Sequence, residues 1–200
     1  MRRFLAVLLL AVAASSASAQ AEGAACGLTA SEVPDVRGLR LGLTTRHVFE
    51  LFPGSGEDKN ILDALAAAPK KFGVASVNIP PAAFAANPAY AGVSSVSVKF
   101  VDGRVASFTV NTNDPEWKHV DDFVAEFVEG TGLPPADAWT PYTGLDTQLK
   151  ALACKDFTLS LFAGGKNLKL NYVMLTDTEA ERLWRERREK ARQAAKEAQP

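Results

Sequence analysis

The fold is decided by the stretch VSSVSVKFVDGRVASFTV, residues 93–110. Apolar and polar residues alternate on either side of Asp102-Gly103, as they do in two antiparallel strands that each bury one face. A two-residue turn would set Val98 opposite Ser107 and mix the faces, so we predict a three-residue loop over 101–103, with a type I turn and a left-handed Gly103 in a bulge. The expected pairs are Val98 with Ala106 and Val96 with Phe108.

On the N-terminal side of this hairpin, the sequence predicts two short helices and a strand. Thr44 is a good N-cap residue, Leu43 and Val48 have the spacing of a hydrophobic staple, and Pro53-Gly54 ends the first helix. The expected bounds are 44–52 for this helix, Asp58 to Ala68 for the second helix and Val74 to Ile79 for the strand.

On the C-terminal side, the sequence predicts a long helix and two strands. Asp114 as N-cap and Pro115 as the first helical residue start a helix that we expect over 115–129. Apolar alternation then predicts one strand from Leu149 to Phe162 and another from Leu168 to Leu175, joined by a turn at Gly164-Gly165.

Residues 177–200 predict a charged C-terminal helix. Thr178 and Glu181 fit a capping box at its start. Beyond Trp184 the large apolar residues stop, and pairs of Glu with Arg or Lys four residues apart indicate a solvated helix. The side chains expected to dock its first turns are Ala180, Leu183 and Trp184.

The order of elements is helix then hairpin, twice. Neither half can bury the apolar face of its hairpin alone, so we predict an α+β fold with one antiparallel sheet, helices packed on one of its faces, and the C-terminal helix. The expected segments are a signal peptide at 1–19, one domain at 20–176 with halves at about 36–112 and 113–176, and the helix at 177–200.

The N-terminal residues predict export. Arg2 and Arg3 precede an apolar run that is too short to span a membrane, and Ala17-Ser18-Ala19 has the pattern of a signal-peptidase site. We expect cleavage after Ala19, a periplasmic or extracellular location and no transmembrane segment in the mature chain. With 22 basic and 23 acidic residues, the chain lacks a basic footprint, so we expect no nucleic-acid partner.

The chain has two cysteines, Cys26 and Cys154. When a chain in an oxidising compartment has only two cysteines, they usually form a disulfide. We therefore predict a disulfide, with two buried free thiols as the alternative. Such a bond closes a long loop, for which the chain-entropy model gives roughly 4–5 kcal/mol of stabilisation.

Residues suited to catalysis or metal binding are few. His47 and Glu50 lie three positions apart on the first predicted helix, but no third ligand accompanies them, and we predict a surface pair. His119 with Asp121 or Asp122 is the one combination that would serve a small secreted hydrolase, which is the alternative function. We expect no catalytic residue, no metal site and no cofactor.

Trp139 and Tyr142 lie in a connection that contains several prolines. An amphipathic ring in such a loop either seals the end of a sheet or projects as an anchor for a partner. We name both residues as candidate binding residues and leave the two roles open.

Residues 38–54, GLRLGLTTRHVFELFPG, resemble the opening of the SmpA/BamE-like lipoproteins, through Gly38 to Thr44, Val48 and Leu51 to Pro53. The order of helix and sheet is also similar to the β-lactamase-inhibitor-protein-like fold, in which these elements occur as a tandem pair. The resemblance implies a module that binds proteins of the cell envelope and does not catalyse. We therefore expect a non-catalytic secreted binding module, inhibitor-like or envelope-assembly-like, whose partner is another envelope or extracellular protein.

Overall fold

A computed structural model describes residues 26–84, 87–113, 117–142, 148–164 and 170–197. The predicted signal peptide at 1–19 lies outside these residues. Within them, four α-helices and seven β-strands form an α+β fold, and the seven strands make one antiparallel sheet. The predicted fold class is therefore confirmed. None of the described helices has the length and apolar character that crossing a membrane would require.

The elements follow the chain in two helix-then-sheet halves. The helices are α1 (Thr45–Leu51), α2 (Lys59–Ala66), α3 (Val120–Val128) and α4 (Thr178–Glu197). The strands are β1 (Val74–Ile79), β2 (Val93–Val101), β3 (Arg104–Thr112), β4 (Thr140–Pro141), β5 (Leu149–Ala153), β6 (Phe157–Ala163) and β7 (Asn171–Asp177). Their order across the sheet is β1-β2-β3-β7-β6-β5-β4, so the halves meet where β3 pairs with β7.

The core lies between this sheet and helices α1 to α3. Val48 of α1, Ile61 of α2 and Val124 of α3 are buried against apolar side chains from the sheet. The largest side chains that are fully buried there are Phe52, Phe100, Phe108 and Phe157. Both halves contribute to this one cluster, as expected for two apolar layers that cannot be buried separately.

The helices α1 and α2 both begin at a capping side chain, of which the sequence predicts Thr44. Thr44 Oγ1 accepts a hydrogen bond from the His47 amide at 3.4 Å. The Asp58 carboxylate accepts from the amides of Asn60 and Ile61 at 2.9 and 3.1 Å. Each cap satisfies amide groups that a helix start leaves without an internal partner.

The β2–β3 hairpin turns on two residues, and the predicted three-residue loop is wrong. Asp102 and Gly103 have φ angles of 51° and 74°, which is the backbone of a type I′ turn. The twist of this turn matches the twist of the strands that it joins. The left-handed conformation predicted for Gly103 is confirmed.

A bulge at Ala106 explains the error in the hairpin register. Ala106 is an extra residue in β3, and it allows Val105 and Phe108 to face the same core. The bulge thus keeps the apolar side chains of β2 and β3 on one face of the sheet. The three-residue loop was predicted for the same reason. The observed pairs are Phe100 with Val105, Val98 with Phe108 and Val96 with Val110, in place of the predicted Val98 with Ala106 and Val96 with Phe108.

Helix α3 begins later than predicted. Its first residue is Val120, and His119 holds the N-cap position with an extended backbone. The predicted cap, Asp114, and the predicted first residue, Pro115, lie outside the described residues. Trp117 was expected within the helix, but it precedes the helix and stacks on Phe123 with ring centroids 5.2 Å apart. This stacking buries part of the indole without any helical backbone at Trp117.

The segment predicted as one strand over 149–162 is two strands, β5 and β6, which pair with each other. The turn between them is held by the Cys154 amide, which donates to Phe157 O at 2.9 Å. It is also held from outside, because Asp156 accepts a hydrogen bond from the Ala30 amide at 2.6 Å. The next strand, β7, starts at Asn171, and Gly165 of the predicted connecting turn lies outside the described residues.

Cys26 and Cys154 form the predicted disulfide. The bond connects the N-terminal segment to the β5–β6 turn across 128 residues of sequence. Together with the hydrogen bonds of the Ala30 and Lys155 amides, the disulfide holds residues 26–30 against the second half of the fold.

Helix α4 starts with a different cap from the one predicted. Asp177, and not Thr178, supplies the cap, because its carboxylate accepts from the Ala180 amide at 2.8 Å. Glu181, the other residue of the predicted capping box, forms an ion pair with Lys99 instead. The box is therefore wrong, although the predicted helix is present.

The first turns of α4 lie on the face of the sheet opposite α1 to α3. Ala180 and Trp184 pack there against Val74, Val101 and Ala106. Leu183, which was also expected to dock, is 38% exposed. The remainder of α4 is mainly exposed, as its charged pattern predicts.

The type I′ turn makes Gly103 sensitive to substitution. Gly103→Val places a β-branched residue at a positive φ, and we expect a loss of about 1–3 kcal/mol in the free energy of unfolding. Gly103→Asn is the matched control and should cost much less, because Asn tolerates the left-handed region. Urea denaturation of the three proteins checks this, and equal midpoints for Val and Gly would contradict the turn.

The disulfide predicts a large difference between oxidised and reduced protein. Titration of the unfolded, unreduced chain should find no free thiol. Reduction should lower the free energy of unfolding by up to about 5 kcal/mol, because the unfolded chain regains the entropy of a long loop. Two titratable thiols in the unreduced protein would refute the bond.

Candidate functional site

The face of the sheet opposite α1 to α3 is left largely uncovered, and we call it the open face. It consists of the alternate side chains of β1, β2, β3, β7 and β6 that point away from the core. Strand pairing aligns them in rows, of which the central one is Asn78, Ser97, Thr109, Met174 and Ser160. The flanking rows are Ser76, Lys99, Ser107, Thr176 and Thr158 on one side, and Ser95, Asn111, Tyr172 and Phe162 on the other.

Small polar side chains dominate the open face. Lys99 is its one charged residue in these three rows, in a chain in which 22% of residues are charged. Short hydroxyl and amide groups offer hydrogen-bond donors and acceptors and lose little rotamer freedom on binding. A shallow cavity of about 280 Å³ lies over β1 to β3 in this region, bordered by Ser76, Asn78 and Ser107.

Two aromatic rings lie at one end of the open face. Phe162 and Tyr172 stack with ring centroids 5.0 Å apart and planes 14° from parallel. Both rings are half-buried, and partial burial raises the pKa of the Tyr172 hydroxyl. The hydroxyl is therefore protonated at neutral pH and can donate a hydrogen bond.

Helix α4 closes the other end of the open face. Lys99 Nζ lies 4.0 Å from the centre of the Trp184 ring and also pairs with Glu181. Further along α4, Arg187 forms a bidentate ion pair with Asp102, in which Nη1 and Nη2 donate to the two carboxylate oxygens at 2.9 and 2.7 Å. The Arg187 guanidinium holds the pKa of the Asp102 carboxyl below its usual range, mainly through this hydrogen bonding. The single cation of the open face is thus neutralised by α4.

The two predicted binding residues occupy opposite environments. Trp139 is 2% exposed and its indole N–H donates to Pro134 O at 3.0 Å, so it seals the core. Tyr142 is 62% exposed, next to the two-residue strand β4. Of the two side chains, Tyr142 alone is exposed to solvent, and its role in binding stays a prediction.

The residues of the alternative hydrolase function do not share a cleft. His119, Asp121 and Asp122 are all exposed at the start of α3, and they line neither the open-face cavity nor the two cavities described below. Asp121 forms an ion pair with Lys150, a residue of β5. A general base needs a substrate held within hydrogen-bond reach, and none of these three cavities is lined by His119.

The pair considered for a metal has other partners. His47 Nδ1 lies 2.9 Å from the Thr44 hydroxyl, and Glu50 pairs with Arg46 at 3.0 Å. Among the residues that the structure describes, no three His, Cys, Asp or Glu side chains come together as a metal site would require.

A second surface feature was not predicted, and we call it the junction cleft. It opens over the seam between the halves, where Val110 of β3 pairs with Val173 of β7. The cleft holds about 280 Å³. One wall is formed by Asp35, Val36 and Arg37, and the other by Trp117, Phe123, Glu126 and Phe127. The sequence pattern places these aromatic residues on the apolar face of the predicted helix. It does not show that they lie across a cleft from residues 35–37.

A third cavity lies behind the β2–β3 turn and holds about 510 Å³. Its lining is mostly apolar and includes Leu65, Pro69 and Phe100. Asp102 at its rim is already paired with Arg187 of α4. The strained backbone of Phe72, with a φ of 59°, immediately precedes Gly73 in this lining.

Comparison with known proteins identifies no relative. The chain matches no protein-family model, no curated protein and no solved structure.

The packing of α4 on the sheet depends on Trp184. Trp184→Ala removes the indole from Val74, Val101 and Ala106, and we expect a loss of about 1–3 kcal/mol with faster amide exchange along α4. Leu183→Ala, at an exposed neighbouring position, is the control and should change stability by less than about 0.5 kcal/mol. Slow exchange in α4 of the Trp184 variant would show that the helix is held by other contacts.

Proposed function

We propose that this protein is a non-catalytic binding module of the periplasm or cell exterior, and that its partner is another envelope or extracellular protein. The open face is the surface that binds this partner. The proposal treats the chain as a recognition element, inhibitor-like or envelope-assembly-like, with no chemical step of its own.

The observation that carries the proposal is the depletion of charge on the open face. The solvated face of an antiparallel sheet carries polar side chains, and charged side chains are among them because they are rarely buried. Here Lys99 is the one charged residue in the three rows, and Glu181 pairs with it. A surface of neutral, partly exposed groups costs less to desolvate than a charged one, and this favours contact with a partner.

The kinds of side chain on the open face support a protein as the partner. Ser, Thr and Asn side chains make adaptable hydrogen bonds, while a rigid aromatic pair provides contact area at low entropic cost. The Phe162 and Tyr172 stack and the neighbouring Met174 give this surface an apolar anchor at one end. Nucleic acid would instead require basic side chains to neutralise phosphates.

The compartment is supported by the disulfide. A cross-link between Cys26 and Cys154 persists in an oxidising environment, which the periplasm and the cell exterior provide. The predicted signal sequence at 1–19 agrees with this location.

Site-specific photo-crosslinking tests the function. A benzophenone side chain is introduced at Ser97 or Thr109 on the open face, and at Asn60 on α2 as the control. Irradiation in an envelope extract of the source organism should give the same discrete adduct from the first two positions and none from Asn60. No adduct, or an equal adduct from Asn60, would overturn the proposed surface.

Binding measurements with the partner identified in this way complete the test. Ser97→Arg places a bulky charge in the centre of the open face and should weaken binding at least about tenfold. Asn60→Arg, with the same charge change on the opposite side of the sheet, should leave the dissociation constant unchanged. Equal effects of both substitutions would indicate a general electrostatic effect and contradict binding by the open face.

A further inference from the structure

The junction cleft combines an aromatic wall with carboxylates. Trp117 stacks on Phe123 at 5.2 Å, and Phe127 meets Phe123 edge to face at 6.5 Å. Asp35 and Glu126, both exposed, contribute carboxylates on opposite sides of the cleft. Its floor is apolar, because Val110 and Val173 are buried there.

Among the described residues of the lining, Arg37 is the one cation, and it is held by groups outside the cleft. Arg37 Nη1 donates to the carbonyl oxygens of Ala89 and Ala91 at 2.5 and 3.1 Å, on the first half of the fold. Asp35 keeps a partner within its own loop, since its Oδ1 accepts from the Gly38 amide at 3.0 Å. Arg37 keeps its positive charge, but its Nη1 is directed to these carbonyl oxygens, and the described lining carries two carboxylates, Asp35 and Glu126, against this one cation.

The chemistry of these walls selects a positive charge carried on an apolar group. The faces of aromatic rings carry partial negative charge and attract cations, and the nearby carboxylates add to this attraction. A strongly hydrated metal ion gains little from apolar walls, whereas an alkylammonium group is weakly hydrated and packs against rings and valines. The volume of about 280 Å³ is suited to a compact ligand.

We propose that the junction cleft binds a small organic ammonium ion between Trp117 and the carboxylates of Asp35 and Glu126. This site is separate from the open face, because its floor is made by side chains on the core side of β3 and β7. It lies at the seam between the two halves, a position where clefts commonly serve as ligand sites. The ligand would contact the second half through α3 and the N-terminal segment through Asp35.

A matched pair of small molecules tests the proposal. Choline is the cationic probe, and 3,3-dimethylbutan-1-ol is its neutral isostere, with carbon in place of the charged nitrogen. Both are titrated into the folded, disulfide-bonded protein while the indole N–H signals of its three tryptophans are followed by NMR. Trp117→Phe assigns the Trp117 signal. We expect choline to shift this signal saturably, with Trp139 unchanged, and the neutral alcohol to bind about tenfold more weakly.

Variants separate the proposed contacts from general effects. Glu126→Gln keeps the shape of the cleft and should weaken choline binding about threefold to fivefold. Asp122→Asn removes a carboxylate from the same helix outside the cleft and should leave the affinity unchanged. Trp117→Leu should abolish saturable binding, which is followed for this variant by calorimetry.

Three results would overturn the proposal. They are equal affinity for choline and its neutral isostere, no saturable shift of the Trp117 signal, or equal effects of Glu126→Gln and Asp122→Asn. Because Glu126→Gln is a conservative surface change, the proposal stays falsifiable even if Trp117→Leu fails to fold. None of these outcomes bears on crosslinking at Ser97, so the failure of this site and the failure of the open face are distinguishable.

Discussion

The pairing of β3 with β7 is the constraint on which the rest of this structure depends. Six residue pairs, from Ser107 with Thr176 to Thr112 with Asn171, join a hairpin of the first half to a hairpin of the second. Without this ladder, each half would expose one apolar face to water. With it, α1, α2 and α3 cover one continuous face, and the strands of both halves share the opposite face.

The N-terminal segment, residues 26–42, reinforces that junction because it contacts both halves. It is attached to the second half by the Cys26–Cys154 disulfide and by hydrogen bonds to the β5–β6 turn. It then crosses to the first half, where Arg37 bonds to Ala89 and Ala91 and Gly42 donates to Val105 O at 2.8 Å. The segment thereby forms one wall of the junction cleft. A redox-sensitive bond and a candidate ligand site therefore share the same structural support.

The two surfaces differ because the layers on the two sides of the sheet differ. On the core side, the helices belong to separate halves, and the gap between them leaves aromatic and charged groups around an apolar floor. On the other side, α4 covers one end of the sheet and pairs with Lys99, and the other side chains of the three described rows are neutral. The proposed protein partner is assigned to the broad neutral surface, and the proposed small cation to the narrow aromatic cleft.

The sequence by itself determined the parts that rest on local chemistry. The cap at Thr44, strand β1, the left-handed Gly103, the charged last helix and the α+β class all follow from residue type and period.

Tertiary structure decided the other features, because the interactions that determine them join residues far apart in the chain. Ala106 bulges so that Val105 and Phe108 can share one core, and Trp117 lies outside α3 because it can stack on Phe123. Trp139 is a core residue because strands and loops close over it, and its own sequence neighbourhood fits a surface anchor equally well. The junction cleft forms only where the two halves meet, so no local pattern of residues could predict it.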